Sequence, residues 1–130
     1  MNFNIATEQE RPGFPTKHFN DPLFDQTIFA AAREFLKGYQ GGHWDCVTTS
    51  EGVPFMIPGQ DTCILIAPST KQELEVDNTL AGFILTHIVL TGKIQDGMTT
   101  YSQQHYDLRG VIADYCIELD RGDVLKALLH

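Results

Sequence analysis

The feature that most constrains the fold is an apolar segment of helical length, residues 80–94, which follows Asn78 and Thr79. One arc of its helical wheel is filled by large apolar side chains, namely Leu80, Phe83, Ile84, Ile88, Leu90 and Ile94. Leu85 and Val89 lie outside that arc, so the helix is apolar nearly all round. Such a helix has to be buried, and we expect it to lie centrally on a sheet with Asn78 or Thr79 as its N-cap. Its β-branched residues leave a strand as the alternative, which its length disfavours.

Four short strands are predicted before this helix, over residues 43–49, 53–57, 63–67 and 73–77. A polar turn that ends in glycine joins the first two strands, and Pro54 predicts that the second is an edge strand or carries a bulge. The third is a continuous apolar run, as expected of a buried strand. The fourth alternates acidic and apolar residues, which predicts one face in water.

Helices are predicted on both sides of these strands. The first begins with Asp21 as N-cap and Pro22 at the first helical position, and it ends at Gly38. After the central helix, a third runs from about residue 101 to 118 and a short one follows Asp123. The third helix has an apolar face formed by Tyr101, Leu108, Val111, Ile112, Tyr115 and Leu119.

This order of elements predicts an α+β fold. We expect a small antiparallel sheet of about four strands, preceded by one helix and covered by the C-terminal helices. Residues 21–130 are predicted to form this single domain. Residues 1–20 contain Pro12, Gly13 and Pro15 and are predicted to form a weakly ordered arm, which Phe14 and Phe19 pin to the core.

Charge excludes several classes of partner. The 130 residues include 17 acidic and 9 basic ones, for a formal net charge of −8. Such a chain is poorly suited to nucleic-acid phosphates or to an anionic membrane surface, so we predict neither as a direct partner. The polar N-terminus lacks the apolar stretch of a signal peptide, and no apolar run reaches the ~20 residues that cross a bilayer. We therefore expect a cytoplasmic protein.

The residues that most often carry chemistry form no known motif. Cys46, Cys63 and Cys116 have spacings that match neither a zinc nor a redox site, so they are predicted to be free, buried thiols. His87 and His105 fall in the apolar arcs of their helices and are predicted to be core or boundary histidines with one hydrogen bond each. No His-x-x-x-His or Cys-x-x-Cys spacing occurs. We predict no catalytic residue, cofactor or metal.

The densest polar cluster is the start of the first strand. There His43 and Asp45 should face one side while Trp44 and Cys46 face the other, with Trp44 in the core. A nucleophilic pair of His43 and Cys46 is therefore disfavoured. The Gly41-Gly42 pair before the strand is interpreted as a flexible turn, since it lacks the third glycine of a dinucleotide fingerprint.

Acidic residues are concentrated near the C-terminus. Five of them are candidates for partner contact: Asp107, Asp114, Glu118, Asp120 and Asp123. One interpretation is an acidic face that docks a basic partner, and the other is an ordinary solvated helix face.

Several segments together are similar to one protein family. The run Tyr39-Gln40-Gly41-Gly42-His43-Trp44 resembles the Tyr-x-Gly-Gly/Ala-x-Trp signature of antirestriction proteins typified by ArdB and KlcA. A polar turn with glycine over residues 48–52 and an aromatic strand ending in proline over 55–58 follow in the order of that family. Residues 74–78 and 81–94 resemble its strand and apolar helix, and residues 105–110 resemble its tyrosine-containing segment that ends in Leu-Arg-Gly. The residues that carry the match are Tyr39, Gly41, Gly42, Trp44, Pro58, Leu108, Arg109 and Gly110.

The resemblance implies a protein of a mobile element or phage that relieves type I restriction of incoming DNA. It implies a host defence protein as partner, a type I restriction enzyme first of all, bound without catalysis. A net charge of −8 is small for a mimic of duplex DNA, which carries one charge per ~1.7 Å. Two alternatives remain open: a small hydrolase or transferase that uses His43, His87 or His105 with a carboxylate, and an accessory module of a larger assembly.

Overall fold

The computed structural model describes residues 1–128, which form a mixed arrangement of strands and helices. The strands are β1 (Phe3–Ile5), β2 (Trp44–Thr49), β3 (Pro54–Pro58), β4 (Thr62–Ile66) and β5 (Glu73–Asp77). The α-helices are α1 (Phe14–Phe19), α2 (Phe24–Phe35), α3 (Asn78–Gln95), α4 (Ser102–Glu118) and α5 (Gly122–Leu128). Short 3-10 turns precede α1 and α4, at Arg11–Gly13 and Thr99–Tyr101. The predicted α+β class is confirmed.

The strands form two antiparallel sheets, whereas the sequence predicted one. Strand β2 lies between β1 and β3, and β4 pairs with β5 in a second sheet. The predicted four strands thus separate into two hairpins, because each strand of a hairpin finds its nearest partner across a short turn. Pro54, which lacks an N–H for the ladder, begins β3 at the edge of the larger sheet, so the edge prediction is confirmed.

The N-terminal arm contributes to both the sheet and the core. Strand β1 adds to the free edge of β2, with Phe3 opposite Thr49. Helix α1 buries Phe14 and Phe19, and the Phe19 ring stacks on Phe24 of α2 with centroids 3.8 Å apart. The predicted pinning by these two phenylalanines is confirmed. The weak order of the arm and a domain boundary at residue 21 stay predictions.

Helix α3 is the central element, and its length overrides the strand propensity of its β-branched residues. It packs on β3 so closely that a Cβ added at Gly82 would lie 2.1 Å from the carbonyl oxygen of Met56. Its N-cap is Asp77, whose carboxylate accepts a hydrogen bond of 2.7 Å from the Leu80 amide. The predicted caps Asn78 and Thr79 were wrong by one or two positions. Asp77 ends β5 with an extended backbone and thereby starts the helix.

Helix α2 is shorter than predicted at both ends. Asp21 does not cap it, since the Asp21 carboxylate accepts from the Leu23 amide at 2.9 Å and from Nζ of Lys93 at 3.2 Å. The helix begins at Phe24, after this turn. It ends at Phe35, because Leu36 is extended and forms a β-bridge with Leu65 of β4.

Two burial predictions also need correction. Strand β4 was expected to be buried on both faces, yet Ile64 is 39% exposed because β4 and β5 share one uncovered face. In α4 the buried positions are Leu108, Ile112 and Cys116, whereas Leu119 is 41% exposed because the helix has ended at Glu118.

None of the helices in residues 1–128 combines the length and apolarity that a bilayer crossing requires.

Candidate functional site

An aromatic corner holds the first group of family-motif residues. Trp44, buried at the start of β2, donates a hydrogen bond of 2.8 Å from Nε1 to the Tyr39 hydroxyl. The two rings meet edge to face at 5.9 Å, and Phe29 of α2 packs against Trp44 at 5.4 Å. The core position predicted for Trp44 is confirmed. This corner ties the loop after α2 to the larger sheet.

The loop that closes the corner depends on glycine. Gly41 and Gly42 have φ angles of 90° and 120°, which only glycine adopts readily. Pro58 lies opposite Trp44 in the β2–β3 ladder, and the following Gly59 approaches the carbonyl oxygen of His43, which a Cβ would meet at 2.7 Å. These motif residues therefore serve a tight junction between the loop and the end of the sheet.

His43 and Asp45 lie together on the exposed side of β2. Nε2 of His43 is 3.0 Å from Oδ1 of Asp45, and these side chains are 60% and 41% exposed. Cys46 is buried on the opposite side of the strand, as predicted, so no nucleophile faces this pair across the sheet. Arg11 reaches the same edge and donates a 2.8 Å hydrogen bond to the carbonyl oxygen of Trp44. A histidine and a carboxylate thus meet here at exposed positions, and His43 also borders a cleft of about 540 Å³ that Glu8, Arg11 and Asp25 line.

The other two candidate histidines meet between α3 and α4. The rings of His87 and His105 stack with centroids 4.3 Å apart. Nε2 of His105 lies 2.9 Å from Oγ1 of Thr91, as the expectation of one hydrogen bond requires. Nε2 of His87 is buried without a hydrogen-bond partner among residues 1–128, so that expectation fails at this atom.

The electrostatics of this pair disfavour charge. Burial, aided by the neighbouring His105 and Arg109, lowers the pKa of His87 to about 4. Burial and Arg109 also lower the pKa of His105. Both rings border a cleft of about 620 Å³ that Ser69, Thr91 and Gln95 also line. A general base that works near neutral pH needs a pKa close to 7, and His87 lies far below it.

The three thiols are inert in this arrangement. Cys46, Cys63 and Cys116 are free and buried, as predicted. Burial raises the pKa of each thiol, that of Cys116 to about 11, so the thiolate form is scarce. Within residues 1–128, no group of three or more His, Cys, Asp or Glu side chains is placed to hold a metal ion.

The acidic candidates lie on α4 and just beyond it. Asp107, Asp114 and Glu118 are exposed and follow one side of α4. Asp107 accepts from Gln103 at 2.8 Å, and Glu118 lies 3.5 Å from the N-terminal amine. Asp120 follows the helix with a φ of 55°. Their role in partner contact stays a prediction.

Asp123, the fifth acidic candidate, has a cationic side chain as its partner, whereas Glu118 is paired with the N-terminal amine. Both of its carboxylate oxygens accept from the Arg121 guanidinium, at 3.1 and 3.2 Å. These hydrogen bonds lower the pKa of Asp123. A basic partner would therefore have to compete with Arg121 for this carboxylate.

Sequence reasoning missed an apolar strip beside these acids. Tyr106 and Ile117 of α4 are 74% and 72% exposed. They belong to the side of the helix opposite the buried Leu108 and Ile112. The sequence does contain a pattern that predicts this strip, because four residues recur at helical spacing: Tyr106, Gly110, Ala113 and Ile117. The stronger patterns of the buried apolar face and of the acidic residues on the same helix drew the prediction away from it.

The second group of family-motif residues lies on the same helix. Leu108 is fully buried, whereas Arg109 and Gly110 are exposed. The structure therefore divides the motif residues between the aromatic corner around Trp44 and helix α4. It does not bring the candidate histidines together in one place, since His43 immediately precedes β2 and the other two lie between α3 and α4.

Comparison with known proteins places both groups of motif residues within one family match. A family model of antirestriction proteins matches residues 37–117. The chain is 29% identical over 76 residues to YubI of Escherichia coli (strain K12), which is assigned as an antirestriction protein. That match covers 58% of this chain and 54% of YubI, so the chain matches about half the length of this relative.

The fold is similar to a solved structure with a TM-score of 0.72, at 20% sequence identity, over 85% of this chain and 84% of that one. That structure is described as one of the KlcA and ArdB proteins, which show a novel fold and have antirestriction activity against type I DNA restriction systems in vivo but not in vitro.

Proposed function

We propose that this chain, which belongs to the antirestriction protein family, relieves type I restriction of incoming DNA by binding a host protein, without catalysis. It would act in the cytoplasm on behalf of a mobile element or phage. The observation that carries the proposal is the family match over residues 37–117, which includes both the aromatic corner and most of α4. The activity of KlcA and ArdB against type I systems in vivo supports the choice of target.

Several features of the side chains support action by contact. Burial lowers the pKa of His87 to about 4 and raises the pKa of each thiol, and the one histidine–carboxylate contact described above, between His43 and Asp45, is exposed. Catalytic acid–base pairs are usually tuned by burial in a cleft. In this chain His43 borders a cleft of about 540 Å³ with Glu8, Arg11 and Asp25, but its side chain stays 60% exposed. Burial lowers the pKa of both His87 and His105, which disfavours the charged form of that pair.

The partner we propose is a protein of the host defence, with a type I restriction enzyme as the first candidate. The exposed acids Asp107, Asp114 and Glu118 are proposed contacts, with Asp120 and Asp123 at the end of the same surface. A net charge of −8 makes direct binding to DNA unfavourable. The same net charge is also small for a protein that imitates a DNA duplex. We therefore propose that the chain relieves restriction by contact with a protein.

The test is made in living cells, because KlcA and ArdB act in vivo but not in vitro. Unmodified phage is plated on a restricting host with and without expression of this chain. We expect the chain to raise the plating efficiency on that host only. Phage that already carries the host methylation controls for effects unrelated to restriction, and equal plating of unmodified phage with and without the chain would contradict the proposal.

A further inference from the structure

We propose that the outward side of α4 is a docking surface for a basic, amphipathic segment of a partner protein. This inference rests on the proposed function in one respect, namely that the chain acts through a protein partner. We call the surface the α4 face and define it by Tyr106, Gly110, Ala113 and Ile117, with the acids Asp107, Asp114 and Glu118 along one border.

The two large apolar side chains of the α4 face are left largely uncovered by residues 1–128. Tyr106 and Ile117 are more exposed than any other large apolar side chain in that range, at 74% and 72%. They lie on one side of the helix, with Gly110 and Ala113 between them. Each keeps apolar area in water at a cost of roughly 25 cal/mol per Å². A grouped apolar strip with a polar border is the usual form of a protein-binding site.

Gly110 gives this strip a shape that suits close approach. A Cβ at Gly110 would meet nothing within 4 Å, so the fold itself does not require glycine there. A glycine inside a helix nevertheless costs about 1 kcal/mol relative to alanine. The bare backbone forms part of a groove of about 580 Å³ that extends to Glu51 and Val53 of the β2–β3 hairpin. A partner side chain placed there would contact the helix backbone directly.

Charge determines the kind of partner. Among the residues that line the groove, Glu51, Asp107 and Asp114 are acidic and Arg109 is the basic one. Glu118 extends the acidic border toward the end of α4. Carboxylates beside an apolar strip complement a segment in which lysines or arginines flank apolar side chains.

Other occupants fit less well. A second copy of this chain in a symmetric contact would place the same acidic border against itself, in a protein of net charge −8. Phosphates of a nucleic acid or an anionic membrane would meet the same repulsion. A basic segment of another protein is therefore the occupant that the surface favours.

The experiment titrates the full chain, labelled with 15N, with an amphipathic helical peptide of leucine, alanine and lysine. We expect amide shifts centred on Tyr106, Gly110 and Ile117, and an affinity that falls as salt rises. A peptide with glutamate in place of lysine should not bind. The double variants Tyr106→Ser/Ile117→Ser and Asp107→Asn/Asp114→Asn should each weaken binding about tenfold or more, since few residues dominate an interface.

The matched control is Ile64→Ser/Glu75→Gln. Ile64 and Glu75 are register partners on the exposed face of β4–β5, so this variant removes an exposed apolar group and an acid elsewhere. It should leave peptide affinity unchanged. Peptide binding that survives both α4 variants, or that the control weakens equally, would overturn the proposal. So would a dimer of the chain that Ile117→Ser abolishes, since the occupant would then be a second copy.

The α4 variants also separate this proposal from the proposed function. If they lose the peptide but still relieve restriction, the docking surface is wrong and the antirestriction function stands. If the wild-type chain does not relieve restriction, the proposed function fails, while the peptide titration still decides whether the α4 face binds basic segments.

Discussion

The imidazole rings of His87 and His105 stack across the α3–α4 interface, with centroids 4.3 Å apart and planes inclined by 28°. Burial, together with Arg109 and, for His87, the second imidazole, lowers the pKa of both rings and so disfavours a positive charge on this pair. We therefore expect the contact between the central helix and α4 to weaken when these rings are protonated.

This dependence gives the first prediction. The folded state keeps His87 neutral down to a pKa of about 4, whereas the unfolded chain protonates it near 6.5, so the unfolded state binds more protons between these values. Stability contributed by the neutral ring is complete above pH 6.5 and is lost as the pH falls toward 4. At about 1.4 kcal/mol per pH unit, the loss over the two units down to pH 4.5 is roughly 2–3 kcal/mol.

The predicted loss of stability is checked by measuring the free energy of urea unfolding at pH 7.5 and at pH 4.5, for the wild type and for His87→Phe. The variant should lose less stability on acidification than the wild type, by roughly 2–3 kcal/mol, because phenylalanine does not titrate. An equal loss in the two proteins would show that His87 is not responsible.

The second prediction concerns two glycines of α3. A Cβ at Gly82 would lie 2.1 Å from the Met56 carbonyl oxygen, so Gly82→Ala has to push the helix off β3 and should destabilise the protein by about 3 kcal/mol or prevent folding. Gly92 has open space, so Gly92→Ala should raise stability by about 0.5–1 kcal/mol. Thermal unfolding of both variants checks the sign, and a Gly82→Ala protein as stable as the wild type would refute the close packing.

A third prediction concerns the aromatic corner. Tyr39→Phe removes the acceptor of the buried Trp44 Nε1–H, which should cost about 1–2 kcal/mol because the donor is left without a partner. Trp44 is the only tryptophan of the sequence, so its fluorescence reports the change locally. Tyr106→Phe, at an exposed tyrosine, is the matched control and should leave stability unchanged. Equal effects of the two substitutions would argue against the hydrogen bond.

The fourth prediction concerns the start of α3. Asp77 caps the helix through Leu80 and also accepts a 2.9 Å hydrogen bond from the Tyr115 hydroxyl of α4. Asp77→Ala removes both bonds and should cost about 2 kcal/mol. Denaturant unfolding measures the loss, and Asp61→Ala at a neighbouring exposed position provides the baseline. A change no larger than that of Asp61→Ala would contradict the double role.

The sequence predicted those elements whose signals are local. Helix α3 was evident because residues 80–94 are apolar over a length that strands seldom reach. The exposed and buried sides of β2 followed from simple alternation, which placed Trp44 and Cys46 inside and His43 and Asp45 outside. These features depend on neighbours along the chain and need no knowledge of tertiary contacts.

Features that depend on distant partners were missed. Strand β1 exists because β2 offers a free edge 40 residues later in the chain, and residues 3–5 alone give no strand signal. Asp21 was mistaken for a cap because Lys93, its partner from α3, is remote in sequence. The exposure of Tyr106 and Ile117 was likewise hidden, since only the packing of α4 on α3 decides which of its sides is covered.

The central claim is that this chain works by contact and does not transform a substrate. The most direct test measures relief of type I restriction in cells by two folded variants, His43→Gln/His87→Phe/His105→Asn and Tyr106→Ser/Ile117→Ser. We predict that the variant without the candidate catalytic histidines protects unmodified phage as the wild type does, while the α4 variant does not. Loss of protection in the histidine variant, with protection intact in the α4 variant, would contradict the account.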